Sequence, residues 1–144
     1  MVINITRNTL IILIPMLAHG STKWLSAIIA LQIIHDETID RVSDGSGWVK
    51  DYTYAKLIKH NFNRTHPEYE HAQIPTLEEV YALIKPTDLT INVEIKTGVV
   101  FYPEIEARVL DLTERMGLME RVIFSSFNHY TIQKIKEINP EAET

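Results

Sequence analysis

The sequence contains no cysteine, which excludes a disulfide scaffold and thiolate metal sites but does not fix the cellular compartment. Basic clusters are also missing: the 14 lysines and arginines are scattered singly, and at a formal net charge of -5 no nucleic-acid partner is expected. The sequence has no Walker loop, no dinucleotide-binding glycine pattern and no Gly-x-Ser-x-Gly elbow, so these mechanisms find no support. The 144 residues, 45% of them hydrophobic, are enough for one domain with a single core.

The sequence also lacks an apolar run long enough to cross a bilayer, so no membrane span is expected. Its most apolar stretch, Thr9 to Ala18, follows Arg7 and precedes the small residues Gly20 and Ser21. This stretch is compatible with a secretory signal, a buried helix or a disrupted N-terminus. The expected location of the protein is cytoplasmic.

From Leu31 onward, strand-like and helix-like segments alternate. The pattern predicts a strand at 31–34, a loop at 40–50, a weak helix at 53–61, a helix at 77–84, a strand at 90–96, a helix at 104–116, a strand at 122–126 and a helix at 131–138. Helices between strands are what parallel crossover connections require, so the expected class is α/β.

The clearest helix start lies at Thr76. Thr76 and Glu79 have the spacing of a capping box, and Pro86 marks the end of the helix. The predicted apolar stripe of this helix consists of Leu77, Val80, Leu83 and Ile84.

The segment at 90–96 is the clearest strand, because apolar and polar residues alternate along it. In a (β/α)8 barrel its apolar residues would pack outward on helices, and Asn92, Glu94 and Lys96 would point inward, where such barrels carry their chemistry. Two residues on one strand face are about 6–7 Å apart, close enough for Glu94 to hold a divalent cation while Lys96 meets an anionic oxygen. A half-exposed antiparallel strand would show the same alternation.

Two other predicted strand ends carry polar residues. His35 and Asp36 follow an apolar run, and His35 is either a hydrogen-bonded structural residue or a proton-transfer group. Ser125 and Ser126 have no recognisable base nearby in sequence. Three further histidines lack zinc-site spacing and are expected to be solvated: His60, His66 and His71.

Four segments together resemble consecutive blocks of the glycerophosphodiester phosphodiesterase family, in the family's order and at similar spacing. They are IIHDETIDRVSDGSGWVKDYT (33–53), IPTLEEVYALI (74–84), INVEIK (91–96) and IFSSFN (123–128). Members of this family hydrolyse glycerophosphodiesters to glycerol 3-phosphate and an alcohol in lipid metabolism, using a divalent cation and two histidines. The resemblance implies a (β/α)8 TIM barrel of the phospholipase-C-like type, a glycerophosphodiester ligand, and Mg2+ or Ca2+ as cofactor.

The resemblance implies roles for three residues. His35 matches the family's second histidine, Glu94 matches a metal-binding glutamate, and Lys96 matches the lysine that follows it. In these roles His35 would move a proton at the nucleophile or the leaving group, and Lys96 would add a fixed positive charge beside the phosphodiester.

The first part of the chain departs from the family pattern. No His-Arg pair fits at its start, although residues 8–10 can be aligned with the family's Asn-Thr-Leu helix start. The same alignment places Leu25 and Ala27 where two further metal carboxylates belong. We therefore expect residues 1–30 to be a disrupted segment and residues 31–144 to be a partial domain of roughly five βα units with weak or no hydrolysis.

A partial barrel would leave open strand edges and one bare sheet face. Either a second copy of the chain or a rearranged N-terminal segment is expected to cover the exposed side. Three functional hypotheses follow: an impaired hydrolase, an enzyme that completes its site with another chain, or a module that binds phosphate ligands or a partner through Lys96 and the loop at 43–47 without hydrolysis.

Overall fold

A computed structural model of the protein describes residues 4–6, 9–14 and 31–144. These residues contain a four-stranded sheet whose strands lie side by side in the order of the sequence. The strands are β1 (Asn4–Thr6), β2 (Thr9–Ile14), β3 (Thr90–Ile95) and β4 (Val122–Ser125). Strand β1 is antiparallel to β2, whereas β2, β3 and β4 run parallel to one another.

Four α-helices accompany the sheet: α1 (Tyr54–Leu57), α2 (Leu77–Ile84), α3 (Ile105–Arg115) and α4 (His129–Ile138). Strand β3, helix α3 and strand β4 form a crossover unit, the repeating unit of a (β/α)8 barrel. The predicted class, α/β with a partial barrel sheet, is confirmed. Among the helices described here, none is long and apolar enough to cross a membrane.

The apolar stretch near the N-terminus begins as a strand and not as a helix. Strand β2 pairs in parallel with β3, from Thr9 opposite Thr90 to Ile14 opposite Ile95. This pairing corrects the buried-helix interpretation and also the alignment of residues 9–10 with a helix start. The stretch is rich in isoleucine, whose β-branched side chain favours strands. Strand β2 thus covers one edge of β3.

The predicted strand at 31–34 is extended and buried, but it does not belong to the sheet. It pairs with the segment that enters α2: the Ile33 N–H donates to the Pro75 carbonyl (3.0 Å), and the Leu77 N–H donates to the Leu31 carbonyl (2.8 Å). An apolar run shows that a segment is buried, but it does not identify the segment with which its backbone pairs. The prediction of a sheet strand here was therefore wrong.

Strand β3 alternates as predicted. Ile91, Val93 and Ile95 are fully buried, and the residues between them are half-buried. The buried face belongs to the larger of two hydrophobic cores, to which helices α2 and α3 also contribute. The strand therefore has its apolar face toward the helices, as a barrel strand does.

Helix α2 begins as predicted, but one residue of its buried face differs. The Glu79 N–H donates to Thr76 Oγ1 (3.1 Å) and the Thr76 N–H donates to the Glu79 carboxylate (2.8 Å), which completes the capping box. Leu83, predicted to be buried, is 72% exposed, whereas Tyr81 is fully buried. Tyr81 is suited to the interior because its hydroxyl forms a hydrogen bond of 2.9 Å with the Thr113 hydroxyl of α3.

Replacing Thr76 by alanine is expected to lower the free energy of unfolding by about 1 kcal/mol, because the first turn of α2 loses its side-chain acceptor. Thr53→Ala is the matched control, since Thr53 occupies the N-cap position of α1 but forms no side-chain cap hydrogen bond. Urea unfolding of both variants measures the difference. Equal losses in the two variants would contradict the capping role of Thr76.

A second, smaller core lies beneath the loop that follows His35. Its buried members are Ile34, Ile39, Val42, Val49, Leu57, Phe62 and Ile74. The loop is closed by backbone contacts: the Ile39 N–H donates to the Gly47 carbonyl (3.0 Å), and the Gly47 N–H donates to the Asp40 carboxylate (2.9 Å). The turn-rich stretch is therefore a compact loop with an apolar interior.

Arg121 joins the N-terminal ends of β3 and β4. Its guanidinium donates to the Leu89 carbonyl from Nε (3.1 Å) and Nη2 (2.8 Å), and to the Lys85 carbonyl from Nη1 (3.2 Å). Leu89 directly precedes β3, and Lys85 directly follows α2. One side chain thus satisfies backbone acceptors that the helix and the strand leave open.

The C-terminal segment approaches the other edge of the sheet. Glu143 forms an isolated parallel bridge with Ile123, and its carbonyl accepts a hydrogen bond from the Phe124 N–H (2.8 Å). Helices α3 and α4 lie close to their predicted positions, and Gly117 closes α3 in the left-handed region, at φ 69°, as predicted.

Candidate active site

Glu94 and Lys96 lie at the C-terminal end of β3, and both are half-buried. Alternate residues of a strand share a face, so these two side chains lie with Asn92 on the face opposite the core. Glu94 is opposite Ser125 in the ladder, and the Ser125 hydroxyl donates to the Asn92 amide oxygen (2.6 Å). A carboxylate and an ammonium group therefore occur together at the sheet end where barrels carry their chemistry.

His35 is held by a chain of two charged side chains. Its Nδ1 lies 2.7 Å from Oδ1 of Asp36, and Arg41 donates to the same carboxylate from Nε (2.6 Å, to Oδ2) and Nη2 (3.0 Å, to Oδ1). The hydrogen bond from Arg41, aided by His35, lowers the pKa of Asp36 to about 2. Because an ionised carboxylate only accepts hydrogen bonds, Nδ1 of His35 carries the proton, and Nε2 remains available for another partner.

His35 also lines a cavity of about 590 Å3. Its other walls come from the segment that precedes His35, from the loop that follows it and from the stretch at 62–75. They include apolar side chains, such as Ile34 and Phe62, and polar ones, such as Arg41. Small-molecule sites in proteins commonly have this size and this mixture of surfaces.

Two of the histidines that were expected to be solvated have partners. His60 Nδ1 lies 3.0 Å from Asp44 Oδ1, and His66 Nδ1 lies 3.0 Å from Glu68 Oε1. His60 belongs to the loop over the second core, and His66 lines the same cavity as His35. No sequence pattern indicates these contacts, because each depends on the conformation of the polar stretch around it.

The loop after His35 and the loop after β3 come together. Tyr102, in the connection from β3 to α3, is 4% exposed, and within residues 31–144 its hydroxyl has no hydrogen-bond partner. Burial, together with the nearby carboxylates of Glu37 and Asp51, raises the pKa of Tyr102 to about 12. Since such electrostatic effects act over short distances, both loops lie at the same end of the sheet as Glu94.

The described residues do not form a complete divalent-cation site. Within the described ranges, no three Asp, Glu or His side chains come close enough to hold a metal ion. Both oxygens of Asp36 are already engaged, and no acidic residue precedes it in the sequence. Cation sites built from oxygen ligands need about six of them, so Glu94 alone does not fit. Leu25 and Ala27, aligned with the family's carboxylates, lie outside the described residues.

Polar side chains after β4 form hydrogen bonds with the end of β3 and with the residues just beyond it. Ser126 Oγ donates to the Ile95 carbonyl (2.7 Å), and the Asn128 side-chain amide donates to the carbonyl (3.3 Å) and the hydroxyl (3.2 Å) of Thr97. These contacts give Ser126 a structural partner and do not favour a serine nucleophile.

Sequence reasoning missed Arg41 and Asn128. Arg41 was one of several scattered cations, and Asn128 was only the last residue of the IFSSFN block. The position of Arg41, five residues after Asp36 in a turn-rich loop, is the only sequence signal for its contact, and this spacing alone does not predict an ion pair.

The Asp36–Arg41 pair predicts a specific dependence of stability on pH. Because the folded state lowers the pKa of Asp36 from its ordinary value of 3.8 to about 2, the stabilisation is complete above pH 3.8 and is lost as the pH falls toward 2. Asp36→Asn should therefore be less stable than wild type near neutral pH, and the difference should shrink in this acidic range. Urea unfolding at several pH values measures the difference, and a constant difference would contradict the interpretation.

The described sheet, with helices on its apolar face and polar side chains at the C-terminal ends of its strands, defines a partial (β/α)8 barrel. The model of the "Glycerophosphoryl diester phosphodiesterase family" matches residues 30–144. The chain belongs to this family.

The relatives agree with this membership. A glycerophosphodiester phosphodiesterase of Caldanaerobacter subterraneus is 42% identical over 111 residues, which are 76% of this chain and 46% of the relative. A second, from Bacillus altitudinis, is 36% identical over 117 residues, covering 78% of this chain and 47% of the relative. The chain thus spans about half the length of the curated relatives it matches.

Solved structures share the fold. A glycerophosphodiester phosphodiesterase from Agrobacterium tumefaciens superposes with a TM-score of 0.75 at 21% identity, covering 94% of this chain and 52% of that one. A phosphodiesterase from Oleispira antarctica, solved in complex with the product sn-glycerol-3-phosphate, superposes with a TM-score of 0.63 at 24% identity, covering 90% of this chain and 50% of that one.

Proposed function

We propose that this chain hydrolyses glycerophosphodiesters to glycerol 3-phosphate and an alcohol, at a rate reduced by its incomplete cation site. The observation that carries the proposal is the pair Glu94 and Lys96 at the C-terminal end of β3, in a chain that belongs to the family. The complex of the Oleispira antarctica phosphodiesterase with sn-glycerol-3-phosphate supports the same class of ligand.

His35 is the proposed proton-transfer residue. Asp36 holds Nδ1 at 2.7 Å and thereby fixes the tautomer, so Nε2 accepts a proton from the nucleophile or, when the ring is protonated, donates one to the leaving alcohol oxygen. Arg41 keeps Asp36 ionised and oriented. Asp36 and Arg41 thus act through His35, which is the residue proposed to exchange the proton with the substrate.

Lys96 is the proposed phosphate-binding residue. Its ammonium offers a fixed positive charge to the phosphodiester oxygens, and this charge becomes more favourable as negative charge builds up on them. The cavity of about 590 Å3 beside His35 has room for the alcohol portion of the substrate. No part of this chemistry is routed through a cation, because the residues present do not complete a site for one.

The proposal is tested by measuring glycerol 3-phosphate released from glycerophosphocholine and glycerophosphoethanolamine, with Mg2+, with Ca2+ or with a chelator. We expect slow but measurable release. A rate per chain that rises with protein concentration would indicate that a second copy contributes to the site. Release that stays at the level of the buffer blank under every condition would contradict hydrolysis.

Binding without hydrolysis is a second candidate function, and it is favoured because no group of three metal-ligating side chains surrounds Glu94 among the described residues. In that case glycerol 3-phosphate should raise the melting temperature of the chain, because a ligand that binds only the folded state stabilises it. No shift at millimolar ligand would discard this candidate.

A further inference from the structure

Two side-chain hydrogen bonds hold the backbone on either side of Lys96, and a third holds the side chain of the residue that follows it. Ser126 Oγ donates to the carbonyl of Ile95 (2.7 Å), which precedes Lys96. The Asn128 amide donates to the carbonyl (3.3 Å) and the hydroxyl (3.2 Å) of Thr97, which follows it. In addition, the Asn128 N–H donates to Ser126 Oγ (3.1 Å), so these two residues are also linked to each other.

These bonds begin where the sheet ladder ends. The ladder between β3 and β4 ends at Glu94 and Ser125, and the described ladder between β2 and β3 ends at Ile95, so among the described residues Lys96 lies just beyond the backbone pairing of the sheet. Without other contacts this stretch would be free to move, and the flexible lysine side chain would add to that freedom. The side chains of the β4–α4 connection therefore fix the backbone around Lys96, just as backbone pairing fixes it at Glu94.

A buried chain of hydrogen bonds anchors Thr97. Thr131 Oγ1 donates to Glu106 Oε1 (3.0 Å) and lies 2.6 Å from Thr97 Oγ1. A hydroxyl has one proton, so Thr131, having given its proton to Glu106, must accept from Thr97. Thr97 in turn accepts from Asn128. The direction of every bond is thereby fixed, from the Asn128 amide through two hydroxyls to a carboxylate that is 6% exposed.

We infer that Asn128 and Ser126 are positioning residues for Lys96. They hold the backbone at 95–97 so that the Lys96 ammonium faces the phosphate of the ligand, and they do not touch the ligand themselves. The inference rests on the phosphate-binding role proposed for Lys96 and adds two residues to which no role in this site had been assigned.

Asn128 also caps helix α4, and the experiment must separate this role from its contact with Thr97. Its Oδ1 accepts a hydrogen bond from the Tyr130 N–H (3.1 Å) and so caps helix α4. Asn128→Ser keeps a neutral N-cap residue of equal quality, but the shorter side chain does not reach Thr97. Ser126→Ala is the second variant, since it removes the bond to Ile95 without affecting the cap acceptor.

The test has two measurements on the full chain: the affinity for glycerol 3-phosphate by calorimetry, and the hydrogen exchange of the amides at 95–98. Asn128→Ser and Ser126→Ala should each bind about three- to tenfold more weakly, as expected for the loss of one or two hydrogen bonds that order a binding group. Both should also exchange faster at 95–98, whereas the Tyr130 amide at the start of α4 should stay protected in Asn128→Ser because serine keeps the cap acceptor.

Asn139→Ser is the matched control, because Asn139 lies at the other end of α4 and accepts a bond from the Glu141 N–H (3.0 Å) that serine can also accept. This variant should match wild type in both measurements. If wild type binds the ligand and both test variants bind it equally well, the positioning role is overturned while the proposed function stands. If wild type itself does not bind, the phosphate role of Lys96 is overturned together with the inference built on it.

Discussion

Replacing His35 by alanine is expected to lower the rate of glycerol 3-phosphate release by about 100- to 10,000-fold, the range that proton transfer by one positioned side chain usually contributes. In the described part of the chain, His35 is the one histidine whose Nδ1 pairs with a carboxylate that also accepts hydrogen bonds from an arginine. Its loss removes the proton donor and acceptor but leaves Lys96 in place. The rate should be measured in single turnovers with protein in excess, because the wild-type rate is itself expected to be low.

His66→Ala is the matched control for this experiment. The side chains of His35 and His66 are 55% and 48% exposed, each is paired through Nδ1 with a nearby carboxylate, and both line the same cavity. If His35 acts as the proton-transfer group, only its replacement should reduce the rate. Equal losses in both variants would instead assign the effect to the shape or charge of the cavity.

Gly45→Ala is expected to lower the free energy of unfolding by about 1–3 kcal/mol, the usual effect of forcing an extra group into packed surroundings. A Cβ at position 45 would lie 2.6 Å from two atoms of the His60 ring and 2.7 Å from Cδ1 of Ile39. The ring is not free to move aside, because Asp44 binds its Nδ1 and Tyr52 packs edge-on against it at 5.4 Å. The added methyl group must therefore displace the loop.

Gly98→Ala provides the comparison. Within the described part of the chain no atom lies within 4 Å of the position that its Cβ would occupy, so the substitution should be neutral or slightly stabilising through its effect on the unfolded chain. Urea unfolding of the two variants gives the free energies. If Gly45→Ala were no less stable than Gly98→Ala, the loop after His35 would be less tightly packed than described.

Strand β3 could be predicted from the sequence because the information is local. Its burial alternates residue by residue, and this alternation is visible in the letters TINVEI. The same holds for the start of α2, where Thr76 and Glu79 are three residues apart and satisfy each other's backbone. In both cases the residues that decide the structure are neighbours in sequence.

Other parts depended on distant partners, and there the predictions failed. The residues at 31–34 pair with the entry to α2, more than 40 residues later, and not with a strand. Leu83 was predicted to be buried in α2, but Tyr81 is buried instead. Its hydroxyl is acceptable in the interior because Thr113, on another helix, forms a hydrogen bond with it. Periodicity identifies a buried face but not the partner that makes a polar group acceptable there.

The candidate site divides in the same way. Residue types and family motifs indicated His35, Glu94 and Lys96 from the sequence, and their roles remain proposals. The contacts of Asp36, whose carboxylate is engaged by Arg41 and His35, were not predicted. Such supporting contacts arise from loop conformations, which no periodic pattern encodes.

The two ends of the sheet should respond differently to acid. At one end, Arg121 binds only carbonyl oxygens, and a guanidinium keeps its charge throughout the range in which proteins fold. At the other, the loop after His35 depends on Asp36, Asp40 and Asp44, whose hydrogen-bond partners hold the pKa of each below its ordinary value. Acidification therefore weakens the loop contacts and leaves the arginine contacts unchanged. The loop after His35 should therefore open first, gradually and locally, as the pH falls. The contacts of Arg121 should still hold β3 and β4 in register.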